Sequence, residues 1–226
     1  PNSKNMIISS LLILVGFACL IFGANWLVNG SSSLAKKNNI SDLVIGLTIV
    51  SFGTSAPELV VNSVASFNGY SDIIFGNIIG SNYFNLFIIL GIAGLIYPIK
   101  VQSTTVWREI PISLIATILF FGLANNFFIN QNLDISRLDG ILLFCSLLCF
   151  LYYISKQLKQ EKPSEFTYDN MSNYKIAALV IFGIAGLIFG GKLVVDNAVT
   201  IATDLGVSQK IIGLTIIAAG TSLPEL

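Results

Sequence analysis

Ile45–Leu59 reads IGLTIVSFGTSAPEL, and Ile212–Leu226 reads IGLTIIAAGTSLPEL. The two stretches lie 167 positions apart and share eleven of fifteen residues, with the common core G-T-S-x-P-E. Each carries a glutamate, Glu58 or Glu225, inside an apolar run of membrane length. A charged side chain near mid-bilayer costs about 2.5 to 3.5 kcal/mol on insertion scales, so an acid there marks a functional site. Two such acids in matching settings are the signature of a duplicated transporter whose ion site lies where the repeats meet.

Composition fixes the broad class. The 226 residues are 54% hydrophobic and 11% charged, with a mean hydropathy of +0.80; soluble domains carry about 25% charge. Runs long enough to cross about 30 Å of hydrocarbon are predicted at 6–28, 43–67, 73–97, 109–129, 136–156, 175–195 and from 210 onward. The first is too long for the core of a secretory signal and no A-x-A site follows it, so it reads as a transmembrane helix. The start at Pro1 and the end directly after the second glutamate read as a fragment.

Several function classes drop out. Net charge is zero, which gives no electrostatic case for nucleic acid. Cys19, Cys145 and Cys149 all fall in apolar runs and read as small buried hydrophobes. Histidine is absent, so a Ser-His nucleophile pair, a histidine zinc site and an imidazole relay are all excluded. No cofactor motif is present, and the chain is read as no enzyme.

The duplication extends past the motif. At the same offset Gly16 aligns with Gly183, Gly23 with Gly190, Val28 with Val195, Ala35 with Ala202 and Ser41 with Ser208. Equivalent points of the copies are separated by five apolar segments, an odd number, so the second copy enters the membrane upside down. The predicted fold is therefore all-α and transmembrane, an inverted-topology repeat of five helices each, here cut in the seventh of about ten. The division is 1–155 for the first repeat, 156–174 for a cytoplasmic linker and 175–226 for the start of the second. Placing the N-terminus outside puts Lys36, Lys37, Lys100, Arg108, Lys156, Lys159, Lys162 and Lys175 on the cytoplasmic side. Lys4, Arg137, Lys192 and Lys210 then lie opposite. That bias satisfies the positive-inside rule.

Around Glu58 the residue types define a chemistry. Pro57 lacks an N–H and its ring clashes with the carbonyl four residues back, at Gly53, so carbonyls of Ser51 to Thr54 can leave the helical ladder. Thr54 and Ser55 add hydroxyl oxygens, and Thr54 would share a helical face with Glu58 if the helix resumes after the break. Hard oxygen donors around a carboxylate suit sodium or calcium. For Thr54, Ser55 and Pro57 taken singly, a proline kink with hydroxyls re-satisfying the backbone is the plain alternative. The next segment, Gly76–Asn85, reads GNIIGSNYFN. Its Ser81 and Asn85 face one way; interhelical hydrogen bonding and a share in the ion site both remain open for them.

GTSAPE, then GNIIGSNYFN, then GTSLPE resembles the alpha repeats of the calcium/cation antiporter superfamily, above all its prokaryotic sodium/calcium exchangers. The resemblance covers essentially the whole chain. It implies ion ligands at Ser51 (backbone carbonyl), Thr54, Ser55, Glu58, Ser81 and Asn85 in the first repeat. In the second it implies Ala218 (backbone carbonyl), Thr221, Ser222 and Glu225. It further implies alternating access in a multi-pass protein of the prokaryotic inner membrane, exchanging sodium for calcium, with those ions and the lipid bilayer as partners. No cofactor and no obligatory protein partner are implied. Proton- or potassium-coupled calcium exchange is the alternative, and a cation channel a more distant one. Thr54-Ser55 departs from the usual pattern of the proton-coupled branch, and Glu58 and Glu225 from the aspartates of the plant and mitochondrial branch.

Overall fold

The computed structural model describes residues 3–38, 40, 45–101, 103, 105–125, 135–158 and 171–225. Among these residues the secondary structure is helical, without a strand. Asp42, Asn126, Asp134, Glu161, Glu165, Asp169 and Leu226 lie outside them, as do Lys159, Lys162 and most of the expected linker. Contacts divide the chain into two compact units, Pro1–Tyr97 with Pro163–Leu226, and Pro98–Lys162.

In the first unit α1 (Ser3–Lys37) is followed by a π-helical turn at Gly46–Val50, a single turn α2 (Ser51–Thr54) and α3 (Ala56–Phe67). α4 (Ser71–Ile96) is continuous but π-helical over Phe84–Ile89. The second repeat brings α7 (Asn173–Leu205), α8 (Gln209–Ile212), a π-helical turn at Gly213–Ile217, α9 (Ala218–Thr221) and a 3-10 turn at Leu223–Glu225. The other unit holds α5 (Thr105–Ala124) and α6 (Arg137–Leu158). A capping box starts α6, where the Ser136 N–H donates to Asp139 Oδ2 at 2.8 Å and the Asp139 N–H to Ser136 Oγ at 3.3 Å.

Among the described residues five helices have the length and apolarity to cross a bilayer: Met6–Lys37, Ser71–Ile96, Thr105–Ala124, Arg137–Ile154 and Asn173–Leu205. Two of the seven predicted runs, 43–67 and that from 210, are instead broken at their motifs. α1 and α7, with 35 and 33 residues, also run well past the predicted ends. At 1.5 Å per residue each is about 50 Å long, more than the hydrocarbon thickness. Asn29 and Asp196, one position past the predicted ends at 28 and 195, therefore sit on continuous helix, as does Lys192.

α1 and α7 are repeat mates, and their crossing demonstrates the inversion. A methyl group at Gly23 would lie 2.9 Å from the Gly183 carbonyl oxygen, and one at Gly190 would lie 2.7 Å from the Gly16 carbonyl oxygen. Gly30 continues the series toward the Ile176 carbonyl, at 3.2 Å. Residue numbers rise along α1 as they fall along α7, so the two helices are antiparallel. Gly16 meets the mate of Gly23, and Gly23 meets the mate of Gly16, which is what a local two-fold axis requires. Small residues let the backbones touch, the packing device of membrane helices. Leu20, Val194, Val195 and Ala198 fill the seam, and Val61, Ala65 and Ile73 extend the core into α3 and α4.

Two turns place the site elements. α3 closes through Gly69 at φ +76°, with the Tyr70 N–H donating to the Ala65 carbonyl at 2.9 Å. α7 closes the same way through Gly206 at φ +65°, with Val207 N–H donating to Ala202 at 3.0 Å. Both are glycine C-caps with a six-to-one hydrogen bond. The first folds α4 back beside α3 after three residues.

At Gly23 and Gly190 the neighbouring atoms are backbone and cannot yield as a side-chain tip would. Gly23→Ala and Gly190→Ala should each destabilise the protein by about 1–3 kcal/mol, read as a lower Tm in detergent. Gly91→Ala adds a methyl with nothing within 4 Å and should melt at or slightly above the parent. Equal melting of all three variants would refute the close crossing.

Candidate ion-binding site

The repeated sequence folds to a repeated backbone. In each repeat a π-helical turn, Gly46–Val50 or Gly213–Ile217, leads into one α-turn, Ser51–Thr54 or Ala218–Thr221, on which the motif begins. The helix then breaks at a serine, Ser55 with φ −83° and ψ 4° or Ser222 with φ −87° and ψ 5°. π-turns displace one carbonyl from the ladder and recur at functional sites. Pro57 sits in the first turn of α3, where its missing N–H is harmless. The proline thus begins the second half of a broken helix, as its predicted clash with position 53 requires.

The two breaks face each other. Ser222 Oγ donates to Glu58 Oε1 at 3.1 Å, and Ser55 Oγ donates to Glu225 Oε1 at 3.3 Å. Each acid is therefore held by the serine of the opposite repeat, three residues ahead of the opposite acid. The second oxygen of each carboxylate, Glu58 Oε2 and Glu225 Oε2, is buried and has no hydrogen-bond partner. Asn85 Oδ1, on the π-helical part of α4, is buried and unpartnered as well.

The remaining predicted residues fall around this pair with different partners. Thr221 and Ser222 are fully buried, whereas Ser55 and Ser51 are exposed. Ser81 Oγ lies 3.5 Å from Thr221 Oγ1, so α4 of the first repeat reaches the motif of the second. Thr54 Oγ1 donates to the Ser51 carbonyl at 3.1 Å, and Thr221 Oγ1 lies 3.3 Å from the Ala218 carbonyl, the same contact in both repeats. The two backbone carbonyls named by the resemblance are thus each tied to a threonine. Asn85 is not joined by a hydrogen bond to the other predicted residues.

α4 approaches through glycine. A methyl at Gly76 would lie 2.8 Å from the Leu214 nitrogen, and Gly80 abuts the Leu214 carbonyl. This seats Ser81 beside Thr221. Two amides missing from the predicted set lie in the same place. Asn77 is fully buried, and its Nδ2 donates to Asn62 Oδ1 at 2.9 Å. Both had a signal: Asn62 follows Glu58 by four residues and Asn77 precedes Ser81 by four, each in an apolar helix.

Chemically the site offers two carboxylates with open oxygens, several hydroxyls and amide oxygens. All of these donors are oxygens, which suits a hard cation rather than a thiol- or imidazole-seeking metal. Buried unpaired carboxylate oxygens are expensive, and a cation is the group that would satisfy them.

The sequence model of the family described as sodium/calcium exchanger protein matches residues 8–156 and 175–226. The inner membrane protein YrbG of Escherichia coli strain K12 is 35% identical over 231 residues, covering 98% of this chain and 69% of that protein. The sodium/calcium exchanger MaX1 of Methanosarcina acetivorans is 28% identical over 254 residues, covering 97% of this chain and 73% of that protein. Among solved structures, the sodium-calcium exchanger NCX_Mj soaked with sodium and strontium superimposes with a TM-score of 0.57 at 33% identity, covering 98% of this chain and 71% of that one.

A divalent cation that completes the open oxygens should stabilise the fold by mass action. Calcium is expected to raise the Tm of the detergent-solubilised protein, and Glu58→Gln and Glu225→Gln to remove that rise. Ser222→Ala should shift the half-saturating calcium concentration upward about tenfold, the effect of one hydrogen bond to a charged group. A calcium-dependent rise unchanged in Glu58→Gln would place the cation elsewhere.

Proposed function

The chain belongs to the sodium/calcium exchanger protein family, a family of cation/calcium antiporters, and from that premise we propose that it exchanges sodium for calcium by alternating access. The observation that carries the reading is the reciprocal pairing of Ser222 with Glu58 and Ser55 with Glu225, with one oxygen of each carboxylate left open. In this reading the ion is held by Glu58 and Glu225, by the side chains of Thr54, Ser55, Ser81, Asn85, Thr221 and Ser222, and by the carbonyls of Ser51 and Ala218. One calcium ion neutralises two carboxylates. Sodium ions entering the same oxygens compete with it.

Coupling follows from charge. Two carboxylates left bare in a low-dielectric site are strongly disfavoured, and a cation removes that penalty. Reorientation of the loaded site is therefore easier than reorientation of the empty one, so one cation is returned for another. No covalent step and no cofactor are needed; the sodium gradient supplies the driving force.

The loop lysines support an external N-terminus, with 156–174 as a cytoplasmic linker between a first repeat at 1–155 and a second from 175. The inner-membrane naming of the Escherichia coli relative supports that location for this chain.

Calcium uptake into sodium-loaded proteoliposomes tests the reading. Uptake should require the outward sodium gradient and should fall to background in Glu58→Gln. Outward proton or potassium gradients should not replace it. Uptake driven by either of those gradients would assign different coupling, and uptake without any counter-ion would indicate a channel.

A further inference from the structure

Asn77 is absent from the set of ligands proposed above, yet it bonds three polar side chains at the site. It is fully buried on α4. Its Oδ1 accepts from Ser81 Oγ at 3.3 Å and from Thr221 Oγ1 at 3.2 Å, while its Nδ2 donates to Asn62 Oδ1 at 2.9 Å. One amide thereby joins α3, α4 and α9, two elements of the first repeat and one of the second.

The direction of these bonds matters for ion chemistry. A hydroxyl has one proton and two lone pairs. A cation is attracted to the lone pairs and repelled by the proton end of the O–H dipole. Ser81 and Thr221 lie 3.5 Å apart, close enough for one to donate to the other and so use up an acceptor. With both protons directed to Asn77 Oδ1, neither hydroxyl has to spend a lone pair on its neighbour. Asn62 fixes the amide in the orientation that makes this possible, because Nδ2 is engaged at the opposite end. We propose that Asn77, set by Asn62, is a positioning residue that turns the Ser81 and Thr221 hydroxyl protons away from the ion and their lone pairs toward it. The proposal rests on the reading of Ser81 and Thr221 as ligands.

Thr54, the repeat mate of Thr221, shows what the amide adds. Its hydroxyl donates to the Ser51 carbonyl at 3.1 Å. Thr221 has the matching carbonyl, Ala218, at 3.3 Å and Asn77 besides. Asn77 thus gives the buried second-repeat threonine an acceptor beyond the local one and couples it to Ser81 in a shared network, where effects are non-additive.

The experiment is a mutant cycle on sodium-driven calcium uptake by the protein in proteoliposomes, reading KM and maximal rate separately. Ser81→Ala with Thr221→Val should raise the calcium KM about tenfold. Asn77→Ala alone should raise it by a similar factor, and by less than twofold when added to that double variant. Asn77→Asp, whose carboxylate can only accept, should keep the KM within about threefold of the parent. Asn62→Ala should raise the KM about threefold in the parent and leave it unchanged in the double variant; this cycle decides the matter should Asn77→Ala not fold. If the double variant has the parental KM, the ligand reading beneath the proposal fails. If the double variant is impaired while Asn77→Ala and Asn62→Ala are not, or if their effects multiply in both backgrounds, Asn77 has no positioning role. An Asn77→Asp defect as large as that of Asn77→Ala also overturns it.

Discussion

Each of the two motif glutamates is held by the repeat that does not contain it. Glu58 takes its hydrogen bond from Ser222, and Glu225 takes its own from Ser55. Neither repeat can complete a site alone, and both must be inserted, inverted and brought together before either carboxylate has a partner. A hydrogen bond to a charged group contributes about 1.5–3 kcal/mol, less than the desolvation of a carboxylate in a low-dielectric interior. The serines orient the acids without neutralising them. In the proposed function the balance comes from a cation, which ties the stability of the loaded site to its occupancy.

That meeting depends on glycine at two levels. Gly16 and Gly23 against Gly190 and Gly183 bring α1 and α7 to backbone contact, and Gly76 and Gly80 bring α4 onto the second motif. A side chain at any of these positions would push apart elements whose polar atoms meet at hydrogen-bond distance. Many large apolar side chains on the outer faces are exposed, among them Phe87, Leu95 and Phe121. In lipid this is the favourable state, so the packing is spent on the interior seam and the site rather than on covering the surface.

The doubled motif made the inverted repeat and the two glutamate-bearing breaks legible from residues alone, because identical local sequence produced nearly identical backbone at Ser55 and Ser222. Helix lengths were less legible. Hydropathy marks what lies in hydrocarbon, whereas α1 and α7 continue as far as they pack on each other, carrying Asn29, Lys192 and Asp196 within helix. The π-turns before each motif have no composition signal, since their register depends on what the displaced groups meet. Asn62 and Asn77 were visible as polar residues one turn from Glu58 and Ser81. Their pairing was not, because it joins two helices through a turn whose geometry Gly69 sets.

One departure from the local two-fold bears on the alternating access proposed above. Val28 lies against Gly53 and the ring of Phe17 against Gly220, so α1 covers both motif glycines. The repeat mates of these two residues are Ile184 for Phe17 and Val195 for Val28, both on α7. Two-fold symmetry therefore defines a second arrangement, with Val195 against Gly220 and Ile184 against Gly53. It uses the same glycines and covering side chains of the same apolar kind. Two packings built from equivalent contacts differ by a few kcal/mol at most, the condition for both to be populated and for ions to shift the balance. In the alternating access proposed above, the glycine seam between α1 and α7 would keep the two helices together as they move across the motifs. In this reading the asymmetry at Gly53 and Gly220 marks one of the two states that an exchanger must visit.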